Sequence, residues 1–196
     1  MTGLIILAAG SSSRLGQPKQ KLIYKGRSLL QHAVEEGLAS PCSPIVVVLG
    51  ANEESLHSEI NYPNILHVTN YEWESGMSSS IKCGLEFMLK NGPAISQAII
   101  MLCDQPFVDA EILNRLIEAK QQSGKLIAAC TYDTTLGTPA LFDKEVFSEL
   151  LSLDGQQGAK KLVFDHSDQV EPVPFPLGNI DIDTVEDYEK LKAITF

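Results

Sequence analysis

The 196-residue sequence is short of positive charge. Fifteen lysines and arginines stand against 25 aspartates and glutamates, for a formal net charge of −10. A field of that sign repels polyanions, so it excludes a general binder of nucleic acid or of anionic membranes. Long apolar runs are missing too: none approaches the ~18 residues that span a bilayer. The run Leu4-Ile5-Ile6-Leu7-Ala8-Ala9 is too short for the core of an export signal and has no basic leader. The chain is therefore expected to be soluble and cytoplasmic, with no nucleic-acid and no membrane partner.

Patterned cysteine and histidine are also lacking. Cys42, Cys83, Cys103 and Cys130 form no CxxC pair, and His32, His57, His67 and His166 are scattered without metal-ligand spacing. Small buried thiols in a reducing compartment are the expectation. Aromatics make up 7% of the residues, and glycine and proline are ordinary in number, so nothing points to disorder or a fibre. With 44% hydrophobic residues, the chain can bury a core without disulfides or a structural metal. Its length suits one α/β domain spanning residues 1–196.

Short apolar runs alternate with helical patterns along the chain. Leu4 to Ala8, Ile45 to Leu49, Ala98 to Cys103 and Leu126 to Thr131 are uninterrupted, which suits strands buried on both faces. Leu29, Leu30, Ala33, Val34 and Leu38 mark one helical face. Ile81, Leu85, Met88 and Leu89 mark a second, and Ile112, Leu113, Leu116 and Ile117 a third. Thr184 with Asp187 reads as a capping box opening a last helix, and Asp109 as the cap of the helix at 109–120. This order predicts a three-layer α/β domain with a mostly parallel, mixed sheet. Residues 132–180 are less regular. Gly137-Thr138-Pro139 and the stretch from Pro172 to Gly178 predict loops and an antiparallel addition there.

The chemistry concentrates after the first run, where open α/β sheets bind their ligands. The loop reads Ala8-Ala9-Gly10-Ser11-Ser12-Ser13-Arg14-Leu15-Gly16-Gln17-Pro18-Lys19. Small residues let backbone N–H groups approach phosphate oxygens. Arg14 can fork onto two oxygens, and Lys19 adds a mobile point charge. Lys21, Lys25 and Arg27 extend the basic cluster, Lys21 and Lys25 as solvated helpers. A dinucleotide fingerprint is absent, because Gly16 is the next glycine after Gly10, and this disfavours a nicotinamide oxidoreductase. A P-loop is absent as well, since Gln17 and Pro18 follow Gly16 in place of its Lys-Ser or Lys-Thr.

Leu7-Ala8-Ala9-Gly10-x-Ser12-x-Arg14-Leu15-Gly16-x-Pro18-Lys19 resembles the signature of the MobA-like nucleotidyltransferases, and within them is most similar to molybdenum cofactor cytidylyltransferases. The resemblance covers nearly the whole chain. It implies a Rossmann-like, glycosyltransferase-A-type fold, an NTP donor and Mg²⁺. The loop from Leu7 through Lys19 would hold the triphosphate. Gly76-Met77-Ser78-Ser79-Ser80 matches a segment near the ribose and base, and Ser78 to Ser80 also suit a helix N-cap. Leu102-Cys103-Asp104-Gln105-Pro106 places a carboxylate, Asp104, where a hard cation would sit. Asp181 and Asp183, in the closing segment Asp181-Ile182-Asp183-Thr184-Val185-Glu186-Asp187, both fit the opposing metal position. On a strand their side chains would share one face.

The implied reaction is transfer of CMP from CTP to a phosphorylated, molybdopterin-type acceptor with release of pyrophosphate, the product passing to a recipient molybdoenzyme. Arg14, Lys19 and Asp104 would carry the chemistry. Guanylyl or sugar-phosphate transfer on the same fold is the alternative, and a nucleotide-binding cofactor-delivery protein without turnover is another. Three departures from the family pattern bear on the acceptor side. Thr138 stands where His is frequent, and Gln156 and Lys160 stand where an acid and an arginine are usual. Val185 replaces the usual Pro.

Overall fold

The computed structural model describes residues 1–155 and 158–194. Its strands are β1 (Thr2–Leu7), β2 (Ile23–Tyr24), β3 (Arg27–Ser28), β4 (Ile45–Leu49), β5 (Ile65–Thr69), β6 (Gln97–Leu102), β7 (Ile127–Tyr132), β8 (Thr135–Asp143) and β9 (Val170–Pro174). Seven of them form one sheet in the order β5-β4-β1-β6-β8-β7-β9, and β2 and β3 make a small hairpin. β1 runs parallel to β4 and β6, and β4 to β5. β8 alone is reversed against its neighbours β6 and β7, and β9 is parallel to β7. Every residue of β1 and β4 is buried, as strands covered on both faces must be.

The helices are α1 (Leu29–Ala39), α2 (Glu53–Leu56), α3 (Met77–Asn91), α4 (Ala110–Ser123), α5 (Phe147–Leu151), α6 (Lys160–Asp165) and α7 (Val185–Ala193). Alternation along β1 assigns them to the two faces. Leu4, Ile6 and Ala8 point into a layer with Leu30 and Val34 of α1 and Leu113 and Leu116 of α4. Ile5, Leu7 and Ala9 point into the opposite layer, with Ile81, Leu85 and Met88 of α3 and side chains from α5 and α6. This is the three-layer arrangement that the periodicity predicts.

The predicted caps are present. Asp109 accepts from the Ile112 N–H at 2.8 Å, and Thr184 and Asp187 form a reciprocal capping box. Val185 is the first helical residue of α7, a position that favours proline but tolerates other residues, and it is 55% exposed. Its replacement of proline therefore disturbs no packing. Among the described residues no helix is long and apolar enough to cross a membrane.

Two expectations for residues 132–180 need correction. Gly137-Thr138-Pro139 is not a loop but lies inside β8, where Thr138 and Pro139 bulge from the ladder: Ala129 of β7 pairs with Ala140, and the next residue, Cys130, pairs with Gly137. That irregularity accommodates the proline, which cannot donate to a regular ladder. The antiparallel addition expected in this region is β8 itself, but the stretch from Pro172 is not simply a loop. Pro172 and Pro174 belong to β9, a parallel strand at the sheet edge, where prolines lose no ladder bond.

The end of β8 depends on one ion pair. Lys120, late in α4, pairs with Asp143, and both side chains are largely buried. Asp143 also accepts from the Glu145 N–H at 3.1 Å. Burial pushes this carboxyl up, but the bonds from Lys120 and Glu145 and the charge of Lys120 outweigh burial and hold it below the ordinary carboxylate value. Such a group contributes stability that is fully present above the unfolded value and is lost as the pH falls through the folded one. Asp143→Asn is therefore expected to cost about 1–3 kcal/mol at neutral pH. Urea melts should show that deficit shrinking below roughly pH 4. A deficit that is the same at pH 7 and pH 3 would contradict the assignment.

Candidate functional site

A cleft of about 230 Å³ opens where β1 and β6 end. Leu7, Ala8, Ala9 and Gly10 form its floor, and Lys19 and Gln20 one wall. Trp73, Gly76, Met77 and Ser80 form the facing wall, and Leu102, Cys103 and Asp104 close one end. Gly50, after β4, lets the floor lie close: a Cβ there would stand 2.6 Å from the Ala9 carbonyl oxygen.

The loop from Ala8 to Gln20 is fastened from inside. Gln20 has no exposed surface, and its Nε2 donates to the carbonyls of Ala8 at 2.8 Å and Gly10 at 2.9 Å. Ser12 adopts a left-handed backbone (φ 57°), and its hydroxyl accepts from the Lys19 N–H at 3.0 Å. Ser12 thus closes the loop and is not among the residues lining the cleft. Gln20 carries no sequence signal, because a glutamine between Lys19 and Lys21 reads as one more solvated side chain.

Charge gathers at the end of the cleft. The Lys19 ammonium pairs with Asp104 and, at 2.8 Å, with Asp183. Burial alone would lower Lys19, but the charge and hydrogen bond of Asp104, with the bond to Asp183, hold it above the ordinary lysine value. Arg14 reaches the other Asp183 oxygen at 3.0 Å, from a side chain that is 70% exposed at the rim. The bond from Lys19, helped by the Lys19 and Arg14 charges, keeps Asp183 below the usual carboxylate range. The remaining members of the basic cluster stand apart: Arg27 pairs with Glu35, and Lys25 lies over the Tyr24 ring.

Asp181 and Asp183 are not the equivalent pair that alternation predicts, because residues 180–183 are not in a strand. Asp183 is engaged by both cations. Asp181 reaches the surface, and desolvation, then the charges of Asp104 and Asp183, raise its carboxyl. The Ile182 N–H donates to the Asp104 carbonyl at 3.0 Å, which clamps this segment to the end of β6. Leu15, Leu22, Tyr24, Leu29, Ile182 and Leu191 pack into a small cluster that joins the Asp183 segment to the loop carrying Lys19 and the hairpin after it.

Asp104 leaves one oxygen, Oδ1, buried and without a hydrogen-bond partner among the described residues. No three acidic, histidine or cysteine side chains among those residues gather closely enough to close a metal shell. A hard cation that shares phosphate oxygens needs only one or two carboxylates, and the Asp104 oxygen with Asp183 meets that requirement. Cys103, beside Asp104, is pushed up to about 12, chiefly by burial, and is no nucleophile at neutral pH.

The facing wall departs from expectation in one respect. The serines do not cap α3. Gly76 occupies the capping position, with a φ of 108° that only glycine adopts readily. Ser78 donates to the Gly155 carbonyl at 2.6 Å and does not line the cleft. Ser79 and Ser80 accept from Asn70 at 2.8 and 2.9 Å, and the Asn70 side-chain oxygen accepts from the Glu72 N–H at 2.9 Å. Buried Asn70 thus pins the loop that carries Trp73 against α3. Sequence reasoning missed both residues. On the acceptor side, Lys160 opens α6 and lies over the Phe164 ring, whereas Gln156 lies outside the described residues.

Comparison with known proteins gives this cleft a context. The MobA-like NTP transferase domain family matches residues 4–170. The chain is similar to nicotine blue oxidoreductase of Paenarthrobacter nicotinovorans, 35% identical over 127 residues that cover 64% of this chain and 59% of that protein. It is also similar to the bifunctional enzyme IspD/IspF of Mesorhizobium japonicum, 30% identical over 182 residues that cover 90% of this chain and 41% of that one. The chain thus spans less than two thirds of the length of these curated relatives. Among solved structures it superposes on Rv0371c of Mycobacterium tuberculosis H37Rv with a TM-score of 0.84, at 28% identity and 98% coverage of both chains. A structure of that protein in complex with manganese gives a TM-score of 0.79 at 25% identity, covering 99% of both chains. The expected Rossmann-like, three-layer nucleotidyltransferase fold is the fold found.

The loop's dependence on Gln20 can be measured. Gln20→Leu strips partners from two carbonyls, and is expected to cost on the order of 3 kcal/mol. Hydrogen exchange should quicken across residues 10–19. Gln20→Glu should do no better, since a carboxylate cannot donate. A Gln20→Leu protein that melts like the wild type with its loop still protected would refute the assignment.

Proposed function

The chain belongs to the MobA-like NTP transferase family, and on that premise we propose that it transfers a nucleotide monophosphate from an NTP to a phosphorylated acceptor. The motif around Ala8 and Ala9 favours CTP as donor, a molybdopterin-type acceptor and release of pyrophosphate. One observation carries the reading: the small-residue loop after β1 delivers a largely buried lysine to two carboxylates at the end of β6 and before α7. Asp104 and Asp183, with Asp181 beside them, are the residues that would hold Mg²⁺. Bound there, the ion would neutralise and orient phosphate oxygens.

The chain's own groups supply the rest. The Ala8 N–H is spent on the Val48 carbonyl at 2.9 Å, so the backbone N–H groups of Ala9 and Gly10 would line the path for the phosphates, and Lys19 supplies an ammonium at the α-phosphoryl end. Arg14, at the exposed rim, is placed to fork onto the departing pyrophosphate. Gly76 and Met77 face the nucleoside. An acceptor phosphate is already anionic, so an in-line attack on the α-phosphorus requires no general base. Positioning and charge neutralisation account for the rate.

The similarity to nicotine blue oxidoreductase favours a second reading, hydride transfer from a nucleotide cofactor held in the same cleft. A thermal-shift panel of four NTPs and two nicotinamide dinucleotides, with and without Mg²⁺, separates the two, because a native-state ligand raises the melting temperature. CTP with Mg²⁺ is expected to give the largest shift. Asp104→Asn should stay folded and release pyrophosphate at least ~10²-fold more slowly. Stabilisation by a nicotinamide dinucleotide alone, or near-wild-type pyrophosphate release by folded Asp104→Asn, would overturn the transferase reading.

A further inference from the structure

We propose, resting on the nucleotide-transfer reading, that Trp73 receives the nucleobase and makes the cleft bind nucleotides more tightly than bare polyphosphate. The topology separates the two ends of the site. In the sheet order, β5 and β6 lie on opposite sides of β1. Asp104 follows β6 and, with Lys19, makes the charged end. Trp73 follows β5, in a single turn spanning Trp73–Ser75, and lines the cleft together with Met77. The apolar wall therefore stands across the β1 floor from the ion pairs. A triphosphate drawn to Lys19 directs its nucleoside towards that wall.

The ring is held ready for the task. One part of Trp73 packs against the buried layer that contains Ile81 and Leu85, and the rest faces the cleft. Its loop is fixed by Asn70, which is 4% exposed, through bonds to Ser79, Ser80 and the Glu72 N–H. The Gly76 N–H donates to the Trp73 carbonyl at 3.2 Å. An indole pre-ordered in this way loses little freedom when a ligand arrives. Met77, 39% exposed on the same wall, offers a polarisable thioether beside it. A base has a π-face whatever its identity, so stacking here favours nucleotides over polyphosphate without dictating which nucleotide.

Trp73 is the one tryptophan of the chain, so its emission reports this wall and nothing else. The test compares CTP with tripolyphosphate, each with Mg²⁺, by intrinsic fluorescence and by calorimetry. CTP should quench Trp73 saturably, whereas tripolyphosphate should compete with CTP and leave the emission unchanged. Trp73→Ala should weaken CTP about tenfold and leave tripolyphosphate unchanged, with Trp73→Phe recovering most of the loss. If the alanine variant fails to fold, protection of wild-type Trp73 from acrylamide by CTP, and its absence with tripolyphosphate, decides the matter. Silent emission on CTP binding, or equal weakening of CTP and tripolyphosphate by Trp73→Ala, would overturn the role of Trp73 and leave the transfer reading standing. Failure of any NTP to bind would overturn both.

Discussion

The site is organised around a single ammonium group held between two carboxylates. Lys19 meets Asp104, 85 positions away in the sequence, and Asp183, 164 positions away. A largely buried cation is costly to leave unpaired, and so are two neighbouring carboxylates without a cation between them. Much of the surrounding structure serves to bring the three groups together. Gln20 holds the loop from within, the Ile182 N–H clamps the Asp183 segment to Asp104, and the cluster around Leu15, Ile182 and Leu191 packs the loop and the Asp183 segment side by side. Arg14 balances the second oxygen of Asp183 at the rim.

The parts of this arrangement that follow a period or a local rule were legible in the sequence. Buried parallel strands are continuous apolar runs, so β1, β4, β6 and β7 stood out. Caps are short-range chemistry, so Asp109 and the Thr184–Asp187 pair did as well. Lys19, Asp104 and Asp183 could be named as candidates because they lie in motifs at strand ends. Residues whose role depends on distant carbonyls or hydroxyls could not be named. Gln20 and Asn70 are buried polar side chains in irregular loops, where no periodicity marks burial. The strand that contains Thr138 and Pro139 was hidden because these two residues leave its ladder in a bulge, which no local pattern announces. The choice between Asp181 and Asp183 failed for a related reason. Alternation applies to strands, and residues 180–183 follow a path set by packing.

The same cleft also shows why fold and activity must be argued separately. A protein with oxidoreductase in its name shares 35% of aligned residues with this chain. The chain itself matches an NTP transferase family over most of its length. A loop of small residues that cradles phosphates suits any nucleotide, whereas paired carboxylates balanced by a lysine suit one whose phosphates react.

Lys19 serves as the internal counter-ion of Asp104 and Asp183. Manganese binding to the protein without nucleotide, followed by electron paramagnetic resonance, tests it most directly in wild type, Lys19→Met and Lys19→Met/Asp104→Asn. Freed of its lysine, the carboxylate pair should bind Mn²⁺ about tenfold more tightly than in the wild type, and the double variant should lose that gain. Unchanged or weaker Mn²⁺ binding by folded Lys19→Met would show that the ammonium does not hold the carboxylate pair against the ion.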